Sequence, residues 1–414
     1  MRSSVAVPAL LALSLLVAGP LTAPPAAAQD VAPGTAFEIR PDALPKPYAT
    51  DAVANSSETV ARTDAMRPQV PKGMTATLFA SGLSGPREIL VLPDRSILVS
   101  EPEAGRISRL VAPNPPARAR AMPFLTGLDQ PYGMTLRRDA LIVADLDGLW
   151  RVPYAPGDAK AQAKPQRITP DGAFDGGNGH RSRNVIWDPA SDRFFVAIGS
   201  RGNIAEEAGP RATIQVFAAD GSGGRTYASG LRNPIGLALQ PGTGKLYTVV
   251  NERDGLGNGL VPDYLTAVRE NGFYGWPYSY LGQNPQPDLA DRKPDLVKAA
   301  IVPDLLFESH SAPLDLVFYD GPMFPDWRGD ALVTLHGSWN RADPIGYMVV
   351  RVPFRDGKPR GGYEALATGF RVNKGDGAAQ VWGRPAGIAV LPDGSILVSD
   401  DEGGTLWRIA KAAD

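Results

Sequence analysis

Histidine is scarce in this chain, with only His180, His310 and His336 among 414 residues. His180 sits in "GGNGHRSRN", a polar, glycine-rich stretch that offers no apolar core to fill. An imidazole in such a loop is suited to accept a proton near neutral pH. A second stretch, "YASGLRNPIGLAL", sets Arg232 and Asn233 side by side before a proline and an apolar run. A guanidinium's planar fork matches carboxylates and other anionic oxygens, and an amide beside it adds orientation. His336, in "TLHGSWNR", ends a predicted strand and could reach the same place, whereas His310 reads as structural.

The elements that would gather these groups are visible as a repeat. "FASGLSGPREILVL", "FLTGLDQPYGMTL" and "GRPAGIAVLPDG" are near-copies of the arginine–asparagine stretch. Each copy has a marker residue, an apolar strand, a turn such as Pro-Asp-Gly and a second strand. Six such pairs occur, with markers at Gly85, Gln130, Arg181, Asn233, Ala312 and Arg384. Proline follows the marker in five of them and Ser182 replaces it in the third, and a following proline disfavours helix at the marker. One strand pair cannot bury both faces, but units stacked around an axis can, so the repeat predicts an all-β, six-bladed β-propeller. "MTATLFA" near Thr75 is expected to close the ring by joining the last blade. Equivalent markers then come to the same height, which gathers Gln130, His180, Arg181, Arg232, Asn233 and Arg384 at one mouth. That set is poor in acids and rich in guanidinium and amide groups, and suits a ligand with several carboxylates.

Composition bounds the rest. Gly 45 and Pro 40 indicate many turns and few long helices. A net charge of −2 gives no reason to expect nucleic acid as a partner. Without cysteine there are no disulfides, thiolate metal sites or c-type haem attachment. Residues 1–28 have a basic start, a leucine-rich core and an Ala-Ala-Ala run, and read as a signal peptide; no later segment could span a membrane. The expected product is periplasmic or secreted. Residues 29–72, rich in Pro, Ala, Ser and Thr, form an extended N-terminal arm, and 73–414 form the propeller. The acid- and glycine-bearing loop "VVNERDGLGNGLVPDYL" could present oxygens to Ca²⁺, although its spacing is not that of an EF-hand.

These motifs, with "PKPYAT", "GHRSRNVIWDP", "PDYLTAVRENGFYGWP" and "LHGSWNR" in this order, resemble the soluble quinoprotein sugar dehydrogenases, which use pyrroloquinoline quinone (PQQ). The resemblance runs from about Tyr48 to Ile409 and is nearest the sorbosone dehydrogenase branch. It implies oxidation of a sugar or sugar aldehyde, with His180 as base, Arg232 and Asn233 holding the quinone, and Asp263 as the carboxylate near substrate. Arg384 matches a quinone-binding arginine, and Asp254 and Gly255 match the loop that holds a cofactor-bridging calcium. Gln130, Arg181 and His336 join the expected cofactor site; a quinone-binding lysine of the family has no clear counterpart here, and His336 could substitute for it. Electrons would leave to a separate acceptor, a quinone or a cytochrome. The chain departs from the glucose enzymes at Ala386, Ile235 and Ser200, where they have an arginine, a glutamine and the acid that orients the histidine. Two other readings stay open: a calcium-dependent lactonase or esterase, which needs a carboxylate-rich metal site on the axis, and a non-catalytic binding propeller.

Overall fold

Short β-branched runs form four-stranded antiparallel sheets because each run is punctuated by a tight turn. In "LPDRS" and "LPDGS" the turn is made by an aspartate that accepts the amide two residues on: Ser96 N to Asp94 Oδ1 at 3.0 Å and Ser395 N to Asp393 Oδ1 at 2.9 Å. The structure, a computed structural model, describes Met1 and residues 31–111, 118–375 and 377–413. The signal peptide expected at 1–28 lies, Met1 apart, outside the described residues.

Six sheets surround one axis, as the repeat predicts. Their innermost strands are Ile89–Val91, Met134–Arg137, Arg183–Asp188, Asn233–Leu239, Pro313–Phe318 and Pro385–Val390, and we number the blades one to six in that order. Blade six is completed by Met74–Ser81, which pairs antiparallel with Thr405–Lys411, Thr75 opposite Ala410. The expected closing strand is therefore the outer strand of the last blade. Apolar side chains fill the gaps between blades. Between blades four and five, Val249, Leu265, Phe307, Leu316, Val333 and Val350 form one buried cluster.

The arm is fastened down. Ala36–Phe37 extends blade five, Glu58–Thr59 pairs with Gln380–Val381, and Gln69 bridges Thr368. Between these anchors the chain passes the loops at the mouth of blades four and five. Tyr48 N donates to Leu256 O at 2.9 Å and Asn55 N to Trp339 O at 2.6 Å.

The axis is layered. Two residues past the markers, Tyr132, Ile235, Leu314 and Ala386 meet in a small buried apolar cluster. Three residues past them stand Glu88, Gly133, Asn184, Gly236, Asp315 and Gly387. Side chains from alternate blades thus face glycines on the others. A Cβ on Gly133 would lie 2.6 Å from Asn184 Oδ1, and one on Gly236 2.8 Å from the Asp315 Cα. Asn184 Nδ2 donates to Glu88 Oε2 at 3.3 Å, and Asp315 Oδ2 accepts from Ile388 N at 2.9 Å. Burial pushes the Asp315 carboxyl up to about 7. Burial, then the Asp315 charge, pushes Glu88 well above its ordinary range. A carboxyl raised on folding stabilises below its unfolded pKa and loses that contribution as pH rises through the folded value. Glu88→Gln is therefore expected to gain on the parent as pH rises from 5 to 8, seen as a Tm difference that widens with pH. An equal difference at both pH values would contradict this.

Candidate functional site

The markers ring the axial opening, but they divide between two adjoining cavities. Asn233, Ala312 and Arg384 line one of about 340 Å³ together with His180, Arg232, Asp254, Asp263, His310 and His336. Gly85, Gln130 and Arg181 line its neighbour, of about 480 Å³. Arg87 and Ser182 border both. Sequence reasoning placed Gln130 and Arg181 with the other cofactor residues. The structure sets them across Arg87 in the second lobe, because blades one to three face that side of the axis.

His180 is oriented by backbone. Its Nδ1 lies 2.8 Å from Ser200 O and 3.1 Å from Ser200 Oγ, while Ser200 Oγ itself donates to Gly202 O at 2.6 Å. A carbonyl only accepts, so Nδ1 carries the proton and Nε2 is left as the basic nitrogen. The serine at this position therefore still orients the ring, through its carbonyl. The loop is pinned from behind: Arg183 Nη1 donates to His180 O at 2.8 Å, and Arg211, paired with Asp175 at 2.9 Å, reaches the same carbonyl. Burial, then the Arg232 charge, pushes the imidazole down to about 4. Gly199 leaves room for this packing, since a Cβ there would stand 2.3 Å from Asn233 Oδ1 and 2.7 Å from the His180 Cβ.

Arg232, 8% exposed, pairs with Asp254 Oδ2 at 3.0 Å and donates to Glu252 O at 2.7 Å. Asn340 Nδ2 bonds the other Asp254 oxygen and reaches His310 Nδ1 at 3.0 Å, and His310 Nε2–H donates to Gly257 O at 3.1 Å. His310 is thus part of the cavity wall, positioning Asn340 against Asp254. Asp263 is buried, accepts from Glu252 N at 2.8 Å and Ala312 N at 2.7 Å, and is pushed up by burial to about 7. The mouth is less poor in acids than its markers imply, because the loops bring in Glu252, Asp254 and Asp263. Two of these are neutralised, Asp254 by Arg232 and Glu252 by Arg253 at 2.8 Å.

On the far side, His336 Nε2 lies 2.8 Å from Asp401 Oδ1, and Arg87 pairs with the same carboxylate at 2.7 Å. His336 is thereby committed through Nε2, and burial, then the Arg384 charge, lowers it to about 4. Arg384 donates to the carbonyls of His336 at 3.1 Å and Gly337 at 2.8 Å, with no carboxylate partner among the described residues. Burial pushes its guanidinium below the usual range. Arg384, half-buried and hydrogen-bonded only to carbonyls, lines the same cavity as Arg232 and Asn233, and an anionic ligand there would supply the counter-charge it lacks. The residues present therefore fit a polycarboxylate cofactor. They do not fit the expected calcium equally well. Asp254 spends its carboxylate on Arg232 and Asn340, and its carbonyl accepts from Asn203 Nδ2 at 2.8 Å. Among the described residues no cluster of three acids or histidines could hold a metal. Calcium prefers roughly six to eight open oxygens, so no step below runs through a cation.

Arg87, Asp401, Asn340, Arg183 and Arg211 were missed by sequence reasoning. Arg87 and Arg183 left a signal, since each stands two residues past a marker, Gly85 and Arg181 respectively.

The fold and this site define a six-bladed propeller with a cation- and imidazole-lined axial pocket. Comparison with known proteins shows what it is similar to. Residues 177–338 match the family model described as Glucose / Sorbosone dehydrogenase, and 284–412 match one described as TrAA12-like. A PQQ-dependent pyranose dehydrogenase of Coprinopsis cinerea is 27% identical over 333 residues, covering 66% of this chain and 44% of that protein. An uncharacterized protein of Borreliella burgdorferi is 29% identical over 235 residues, covering 56% of this chain and 60% of the other. The matches thus span less than two thirds of the length of these relatives. In structure, the holo PQQ domain of the C. cinerea enzyme superposes with a TM-score of 0.72 at 22% identity, covering 86% of this chain and 99% of that one. A calcium structure of a Trichoderma reesei family AA12 enzyme gives 0.68 at 18%, covering 86% and 100%. Over part of its length the chain is thus similar to PQQ-dependent sugar dehydrogenases.

Proposed function

We propose that the protein is a PQQ-dependent oxidoreductase acting on a sugar or sugar aldehyde, of the aldose or sorbosone type. The observation that carries this reading is His180: one ring nitrogen fixed on a carbonyl, the other without a protein partner, beside a buried guanidinium in a cavity with room for a ligand. Arg384, Arg232 and Asn233 would hold the cofactor's carboxylates and oxygens. When bound, the quinone supplies the two-electron acceptor for the hydride leaving the substrate carbon. His180 Nε2 takes the proton from the hydroxyl, or from the aldehyde hydrate, on that carbon. Asp263, capped by two amides, accepts a hydrogen bond from a neighbouring hydroxyl and positions the ring. Arg232 stabilises charge growing on oxygen in the transition state. Export to the periplasm or beyond, and a separate electron acceptor, belong to the same proposal.

The lactonase alternative needs a carboxylate-rich metal site on the axis, and of the acids lining the mouth Asp254 is taken by Arg232 and Glu252 by Arg253. The axial acids Glu88 and Asp315 lie instead one layer below the apolar cluster of Tyr132, Ile235, Leu314 and Ala386, away from His180. The direct test is reconstitution: titrate the purified protein with PQQ, follow retention on dialysis, and measure dye reduction with aldoses, pyranoses and sorbosone. Retention with dye reduction supports the reading. No retention and no reduction with any sugar or aldehyde ends it.

A further inference from the structure

Aromatic residues are almost all inside this protein. Of 7 tryptophans, 12 tyrosines and 13 phenylalanines, only Tyr48, 62% exposed, and Trp339, 48% exposed, stand out in solvent. Both are on the same arc of the mouth. Trp339 lines the cavity that contains His180. Tyr48 is one loop further out, with its N–H on Leu256 O at 2.9 Å, two residues from Asp254. Their positions are fixed by the arm: Thr50 Oγ1 accepts from Asn258 N at 2.8 Å, and Asn55 Nδ2 donates to Arg341 O at 2.9 Å.

Tyr48 is also held in a costly conformation. Its φ of 62 is left-handed, which costs a residue with a Cβ about 1–2 kcal/mol. Burial does not offset this, because the ring is in water. Strain of this sort persists where a group is being presented. Around the two rings the rim is polar, with Thr50, Asn55, Asn258 and Asn340 all engaged in rim contacts.

We propose that Trp339 and Tyr48 form a stacking platform for successive rings of an oligosaccharide whose end enters the axial cavity. This rests on the sugar-oxidising reading above and adds chain length to it. A pyranose ring has an apolar C–H face that packs on the electron-rich face of an aromatic ring, and a rim of hydroxyls that bonds amides and hydroxyls. Two separated rings amid polar groups match a chain of such units.

The test has a readout that needs no turnover. The cofactor-free protein is run through native gels containing soluble starch, hydroxyethyl cellulose or xylan. We expect retardation in at least one, and Tyr48→Ala and Trp339→Ala to weaken it about 3–10-fold, with Tyr48→Phe close to the parent. In the PQQ-loaded enzyme, Tyr48→Ala should raise KM for the matching oligosaccharide more than for its monosaccharide. Retardation with no dye reduction would sink the oxidoreductase reading and leave the platform standing. Lack of retardation in every gel, equal retardation of parent and variants, or a defect confined to reduction of a protein electron carrier would overturn the platform.

Discussion

Replacing His180 with alanine is expected to lower kcat by about 10²–10⁴-fold while leaving PQQ retention within a few-fold of the parent. The basis is the division of labour in the cavity. Cofactor contacts are assigned to Arg232, Asn233 and Arg384, whereas His180 offers a single nitrogen, Nε2, to the substrate. Little stability should be lost, because the loop is held through its backbone: His180 O accepts from Arg183 at 2.8 Å, and His180 N donates to Ser200 O at 3.0 Å. The pH profile adds a second check. With its folded value near 4, the imidazole is neutral and competent from about pH 5 upward, so protonation of His180 should cost turnover only below that. Burial of a neutral histidine also means that its contribution to stability falls as pH drops from the unfolded value, near 6.5, toward 4. Unchanged kcat in the alanine variant would remove His180 from the proton transfer.

The second large effect is on stability. Asp254→Ala strips the carboxylate partner from Arg232, which is 8% exposed on its side chain, and the acceptor from Asn340. Breaking one side of a buried ion pair costs about 3–5 kcal/mol, mostly because the remaining charge is stranded. Urea unfolding should show this loss with an unchanged m-value. The loss should be the same in excess EDTA and in excess Ca²⁺, since Asp254 oxygens are engaged by nitrogen donors. If calcium stabilised the parent strongly and the variant not at all, Asp254 would be a metal ligand and the ion-pair account would fail.

Much of this was legible in the sequence because a propeller repeats its instructions. The proline after the marker recurs in five of six strand pairs, often enough to count blades and to align Asn233 with Arg384. The same alignment set Gln130 and Arg181 with these residues, and they line the adjoining cavity. Equal height on an axis does not mean a shared cavity, and Arg87 projects between the two lobes. Departures from the family look scattered in sequence but coincide in space: Ile235 and Ala386 both belong to the apolar cluster flooring the mouth. Ser200 looked like a lost orienting group because a side chain was sought, and a backbone carbonyl leaves no mark in a sequence. The links from Asp254 to Asn340 and from Arg87 to Asp401 were equally hidden, since each joins loops of different blades across long stretches of chain.

The seam between the first and last blades has a consequence for assembly. Met74–Ser81 finds its partner only in Thr405–Lys411, so a growing chain carries an unmatched β-edge until nearly all of it has been made. Such edges are sticky, and such distant pairings are slow. Arg87, on one flank of that seam, meets Asp401 on the other, and the two pockets it separates belong to opposite halves of the circle. The pocket holding His180 takes Arg384 from blade six and Arg87 from blade one, so it is not whole before the seam zips, and capture of a small anion there would report that the circle has shut.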